Sequence, residues 1–432
     1  MPRRCLPEAA HCALHGRCIH RSNRRGIALM RLRTGPTTVL SVTAATVALM
    51  AAGCGGSSSS SSGGSGGGGG GGGTVKVAAI NWAEGPVKDL GDAENNGIQL
   101  AFDEQNAKGG VQGKKIVLKR YDEGYAADTF IPSARKAIAD GNVALIGGQE
   151  VAACSAIVQV ARTKNVPVIA SVCGSAGKTM DGYDRSILMR VPGEGGLTAL
   201  GQWIADQGYK KVQFIGADTA FDRLTIDMFK KVFQKKGGIT FANPIFAPFS
   251  SANNRVQITK AVASKPDLLY MGIFGHDIVV NGVKDARAAG YKGPIVINEA
   301  AFLQPEADAL GADGNNVYGS TGWVNDPSHE SATAKKFATD FKAKFGTDAE
   351  WLAENGYTAG KALIAAMDLA KSTDPNKFGP ELRKIKIQTV NGDPVTIGPD
   401  GNRIAKNWYL LKSTNGKIGL GATLPLTCQA SC

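Results

Sequence analysis

The chain has 432 residues, 43% of them hydrophobic and 20% charged, a length that allows about two to three domains with sizeable cores. Its net charge of +12 is uneven: residues 1–53 hold eight Arg and one Glu, so the 41 basic and 36 acidic residues that remain leave +5 for the rest. With the basic excess in the leader and no basic stripe interleaved with aromatics, nucleic acid is excluded as a leading partner.

Residues 31–54 read RLRTGPTTVLSVTAATVALMAAGC. Arg31 and Arg33 form a positive n-region, and residues 37–50 form an apolar h-region too short to span a bilayer comfortably. The stretch closes on Ala51, Ala52, Gly53 and Cys54. This resembles a bacterial lipobox, although Ala51 replaces the Leu favoured three residues before the cysteine. The expectation is an acylated Cys54 as mature N-terminus, on an exported chain held at the outer face of the cytoplasmic membrane or in the periplasm. An ordinary secretory signal with an incidental cysteine is the competing reading. Met30 reads as the true start, so residues 1–29 need not be translated; the spacing of their Cys and His residues fits no zinc pattern. Residues 55–73 are a Ser/Gly tract that cannot bury apolar surface and reads as a disordered linker. The folded body begins near Thr74.

From there apolar runs alternate with helical patterns. Residues 75–80 read as a strand, 81–92 as a loop, 93–106 as a helix, 114–121 as a strand and 127–140 as a helix. The run 143–146 ends at Gly147 and Gly148. A helix follows with Val151, Cys154, Ile157, Val158 and Ala161 on one face, and then the strand 166–170. Two such strands joined by a helix make a right-handed βαβ unit of a parallel sheet. Ligands bind outside the carboxyl ends of such strands, here at Gly148–Ala152 and 171–175. The first of these loops also opens a helix, whose unpaired N–H groups favour an anion; a purely structural βαβ turn is the alternative. Further strands at 187–191, 211–216, 239–246, 267–273 and 293–297 alternate with helices at 195–207, 224–235, 254–263 and 278–289. Helices then follow at 333–345 and 353–371, with short strands over 388–420 and turns at Asn391-Gly392 and Asp400-Gly401. The alternation is α/β and runs too long for one small sheet. The body contains no HExxH, no Gly-x-Ser-x-Gly, no Walker-type loop and no GxGxxG after the first strand. Only His276 and His329 remain beyond the leader, a poor supply for acid–base work. No catalytic residue, metal or cofactor is therefore expected.

The strings VKVAAINWAEGPV, NGIQLAFDEQNAKGGVQGKKIVLKRYDEG, KAIADGNVALIGG, VPVIAS, PDLLYMGIFG and VKDARAAGYKGPIVINEA, with the late IGPDGN, stand in one order between Val75 and Leu411. In this the chain resembles the extracytoplasmic substrate-binding proteins of branched-chain amino acid (leucine/isoleucine/valine) ABC transporters. The resemblance implies the type I periplasmic binding protein fold: two Rossmann-like lobes joined by three crossovers, closing on ligand by a hinge. Crossovers are expected near Arg190 and Val191, near 319–321 and near 403–405. Lobe 1 is then 74–190 plus 322–403, lobe 2 is 191–320 plus 404–424, and 425–432 is a tail. It also implies that the first loop (Gln149, Glu150, Val151, Ala152) and the second (Cys173, Gly174, Ser175) hold the ligand. Val151 stands where a hydroxyl is expected, which argues against a free α-carboxylate. The ammonium-binding acid falls on Glu299, and the aromatic positions fall on Phe221, Phe274 and Trp82, each of which also reads as ordinary packing. Glu84 and Glu150 are candidate further contacts to a cation.

The expected function is capture of a small polar ligand, an amino acid or related amide, and its delivery to ABC permease subunits. The membrane is then met through the lipid anchor alone. The alternatives are a ligand-sensing receptor subunit, a binder of an amide or aromatic acid, and an enzyme lacking an assembled catalytic set. Four cysteines remain after the leader and the anchor, an even number for an exported protein. Bridges Cys154–Cys173 and Cys428–Cys432 are expected, against the alternative of a buried Cys154 and a free Cys173.

Overall fold

The computed structural model describes residues 72–174, 180, 182–248, 251, 253–273, 275–298, 302–324 and 331–429. Cys54, Ser175, Phe274, Glu299 and Cys432 lie outside the described residues.

The first sheet contains β1 (Thr74–Asn81), β2 (Lys115–Asp122), β3 (Ala144–Gly147), β4 (Val168–Ala170) and β5 (Ser186–Leu188), in the order β2-β1-β3-β4-β5 and all parallel. Strand residues alternate between its two faces. Val77 and Ala79 enter the core beneath the helices Lys88–Ala107 and Trp351–Leu369, and Ala78 and Ile80 enter the opposite core beneath Ala127–Ala139 and Val151–Arg162. Register pairs Ile80 with both Tyr121 and Gly147, so the loops after β1, β2 and β3 emerge side by side.

The second sheet takes β6 (Lys211–Ala217), β7 (Thr240–Phe241), β8 (Ile245–Ala247), β9 (Leu268–Gly272), β10 (Ile295–Ile297) and β11 (Val317–Thr321). The late strands β12 (Ile387–Gln388), β13 (Pro394–Ile397) and β14 (Arg403–Ile404) form a small antiparallel sheet. The hairpin β15 (Asn407–Thr414) and β16 (Lys417–Pro425) then joins the second sheet antiparallel to β11, giving β16-β15-β11-β10-β9-β6-β7 with β8 also on β6. The chain thus leaves the first sheet after Leu188, leaves the second after Thr321, and enters it again at Asn407.

These passages are tied to one another. Leu188 bridges Asn402, the Arg403 guanidinium donates to the Met189 carbonyl at 3.1 Å, and the Trp408 indole N–H donates to Ser320 Oγ at 2.7 Å. Arg190 is 2% exposed, and its guanidinium lies 5.3, 5.6 and 5.9 Å from the ring centroids of Phe221, Trp351 and Trp408.

Two local expectations are corrected, and a third holds in part. The first helix begins at Lys88, not near 93. Its opening turn carries Gly91, where a Cβ would stand 1.9 Å from the Trp82 carbonyl oxygen, so the residue that permits the close approach also hides the helical pattern. The strand expected over 239–246 is two short strands separated at Asn243 and Pro244, because proline has no N–H for the ladder. The short strands β12, β13 and β14 do turn at Asn391-Gly392 and Asp400-Gly401 as expected, but beyond them the chain makes one long hairpin turning at Asn415 and Gly416, with φ of 52° and 76°, the conformation that Asn-Gly favours in a two-residue turn.

Candidate functional site

A glycine ends β3 of the first sheet and lets the loop that follows draw up against β1. Gly147 has φ of 136°, and a Cβ there would stand 2.0 Å from the Ile80 carbonyl oxygen. After β1, the Trp82 N–H donates to Gln149 Oε1 at 2.9 Å, and the indole stacks on Tyr125 with centroids 6.0 Å apart. After β2 comes Glu123, 0% exposed, whose two carboxylate oxygens accept from the N–H groups of Gln149 at 2.7 Å and Glu150 at 2.9 Å. Glu150 is the N-cap of the helix Val151–Arg162, and its carboxylate accepts the Ala152 N–H. The loop expected to offer N–H groups to an anion therefore has three of them occupied by the carboxylates of Glu123 and Glu150. Burial pushes the Glu123 carboxyl well up, against those hydrogen bonds and with the charges of Glu94 and Glu150 adding to the rise.

The second loop meets the second sheet. Gly174 packs under Phe221 so closely that a Cβ on it would stand 2.5 Å from the ring, and the Gly193 N–H donates to the Gly174 carbonyl at 3.1 Å. Arg190 donates to the Cys173 carbonyl at 3.1 Å. Phe221 shares a small apolar cluster with Leu197 and Met228, against which Val151 and Leu224 pack. Val151 from the first sheet's loops and Phe221 from the second's are thus brought to one apolar cluster. Beside Phe221, Asp222 is 1% exposed, and burial pushes its carboxyl well up. It accepts from the Thr219 hydroxyl at 3.0 Å, and Gly216 and Gly272 leave room for its other oxygen. The facing loops carry acids on both sides: Glu84, Glu123 and Glu150 on one, Asp218 and Asp222 on the other.

The expected Cys154–Cys173 bridge is not present. Both are buried, unbridged thiols within one apolar cluster, hydrogen-bonded to each other. Burial pushes the Cys154 thiol well up, which suppresses the thiolate that bridge formation requires. Cys428 is disulfide-bonded; its expected partner Cys432 lies outside the described residues, as do Ser175, Phe274 and Glu299.

Among known proteins, a family model described as periplasmic binding protein matches residues 74–417. The chain belongs to this family. It is similar to the Leu/Ile/Val-binding protein BraC3 of Rhizobium johnstonii, 25% identical over 345 residues covering 77% of this chain and 90% of that protein. It is likewise similar to the Leu/Ile/Val-binding protein of Escherichia coli strain K12, 26% identical over 76% of this chain and 88% of that one. The fold is that of the leucine binding protein LivK of Thermotoga maritima, with TM-score 0.72 and 22% identity, covering 81% of this chain and 99% of that one. It is equally that of a solute binding protein of an ABC transporter from R. palustris, solved with benzoate, with TM-score 0.74 and 21% identity over 82% and 98% of the two chains. As a periplasmic binding protein the chain has the type I α/β architecture expected of it. No described helix is long and apolar enough to cross a membrane.

Residue reading missed two of this binding protein's positions. Glu123, in the string YDEGY, looks like a solvated turn acid, and only the parallel register that sets β2 beside β1 sends it to the Gln149 and Glu150 amides. Arg190 was visible only as a crossover residue; its three aromatic neighbours come from distant parts of the chain.

Proposed function

We propose that this chain captures a small ligand bearing an amino group, an amino acid or a related amide, between the strand-end loops of its two sheets, and delivers it to ABC permease subunits. The observation that carries the amine is the occupation of the Gln149, Glu150 and Ala152 N–H groups by Glu123 and Glu150. A free carboxylate entering that loop meets acids instead of open donors, whereas a cationic or amide N–H group finds acceptors. Val151 and Phe221 supply the apolar side, in keeping with relatives named for leucine, isoleucine and valine. In this reading Glu299, Phe274 and Ser175 complete the site, with Glu299 facing the ammonium. The hinged bodies are 74–190 with 322–403 and 191–320 with 404–424, and 425–432 is a tail.

A thermal-shift panel of amino acids, their amides and aromatic acids tests it. A ligand present at about 100 times its Kd adds about 2.7 kcal/mol of stability. Stabilisation by an aromatic acid such as benzoate, with none from any amine or amide, overturns the reading. We read Cys54 as diacylated and the mature chain as starting there, tethered by the Ser/Gly tract. Mass spectrometry of membrane-extracted protein should find the lipid mass on Cys54; an exported chain with that thiol unmodified removes the anchor.

A further inference from the structure

A cavity of about 870 Å³ lies apart from those loops, and none of Gln149, Val151, Cys173 or Phe221 lines it. It is bounded by the start of the helix Lys88–Ala107, the segment 345–351 and the starts of the helices His276–Ala288 and Gln304–Leu310. Asp89, Asp277, Glu306 and Glu350 give it an acidic wall. His276 offsets part of this, with Nε2 3.3 Å from Asp89 and Nδ1 2.6 Å from Glu306. Burial acts to lower its imidazole, but the Glu306 hydrogen bond and the charges of Glu306, Glu350 and Asp89 carry it up to about 9.

Glu350 has no such partner. It is 8% exposed, stands at the N-cap of Trp351–Leu369 without capping it, and its Oε2 makes no hydrogen bond although the cavity opens before it. Burial pushes its carboxyl up to about 8, against the His276 charge. The apolar wall is Trp323, Trp351 and Phe345, and the indole nitrogens of both tryptophans also lack partners.

A buried carboxyl without a partner is costly, and aromatic faces beside carboxylates are the surroundings that recognise organic ammonium groups. We propose that this cavity is a second ligand site, taking a small organic ammonium compound with its charged end against Glu350 and its hydrocarbon body on Trp323, Trp351 and Phe345. The ammonium N–H groups then satisfy Glu350 Oε2. The carboxyl, protonated beforehand, ionises as the cation enters and gives one proton to solvent. The site uses none of Gln149, Val151, Cys173 and Phe221.

Titration calorimetry of the full chain with phenethylamine at pH 7, and with phenylacetate as an anionic counterpart, tests it. The amine should bind and the acid should not, and the heat should differ between two buffers of unlike ionisation enthalpy because a proton is released. Glu350→Gln should weaken the amine about tenfold or more and abolish the buffer dependence. Asp277→Asn, at an exposed position, should weaken it less. If Glu350→Gln fails to fold, Asp277→Asn and Trp323→Phe carry the test. Equal binding of amine and acid, or amine affinity unchanged in the variants that fold, overturns the site.

Discussion

Replacing Arg190 by methionine should lower the free energy of unfolding in denaturant by about 3 kcal/mol or more. The guanidinium is fully enclosed, and burial lowers it to about 10, so it remains charged at neutral pH. Its charge is held by the Cys173 carbonyl and by the faces of Phe221, Trp351 and Trp408. A desolvated cation on an aromatic face contributes about 2 kcal/mol, and a hydrogen bond from a charged donor about 1.5–3 kcal/mol. Methionine fills much of the volume and keeps neither. Lysine should recover little, since a compact ammonium cannot lie flat among three rings. Equilibrium urea unfolding of both variants decides it. A loss under about 1 kcal/mol for Arg190→Met would mean that the aromatic surroundings act by packing alone.

The second large effect concerns Glu94. This carboxyl is 0% exposed at the start of the first helix and accepts the Ser171 hydroxyl, while its Oε2 has no hydrogen-bond partner. Burial pushes it up from 4.5 to about 7, against the opposing pulls of Ser171, Arg120 and Asn81. The folded chain therefore holds a proton that the unfolded chain releases between those values. The stability this contributes is complete below pH 4.5 and is lost as pH rises to 7, about 3 kcal/mol at about 1.4 kcal/mol per pH unit. Glu94→Gln keeps the shape and the acceptor for Ser171 but does not titrate. Relative to the parent it should gain about 3 kcal/mol between pH 4.5 and pH 8. The difference between the two proteins is the required quantity, because Glu123, Asp222 and Glu350 are shifted in the same direction and all weaken the parent as pH rises. A stability difference that does not change with pH would show Glu94 ionised throughout the range.

The alternation of apolar runs with helical patterns is legible from residues alone, because the inner strands β3, β4, β9 and β10 are buried along their whole length and many of the helices carry an apolar stripe. The meeting of loops was legible: Trp82 meets Gln149, Gly174 meets Phe221, and Val151 packs against the Phe221 cluster. The chemistry of those loops was not. Whether a loop N–H is open to a ligand depends on which side chain reaches it, and Glu123 reaches Gln149 from 26 residues away. Cys154 and Cys173 show the same limit. Proximity could be inferred from adjacent strands, but the surroundings of the sulfurs are a property of the whole core.

The pairing of the helices Lys88–Ala107 and Trp351–Leu369 has a kinetic consequence. One core face of the first sheet needs both, yet partners such as Glu104 and Tyr357, hydrogen-bonded at 2.7 Å, stand 253 residues apart. At synthesis rates of about 5–20 residues per second, the second helix follows the first by about 10–50 s. Through that interval Ile98 and Phe102 lack the part of their native cover that the helix Trp351–Leu369 supplies. The first sheet opens the folded body and is among the last parts to be completed, so holding factors during export would have most to protect in the segment 74–107.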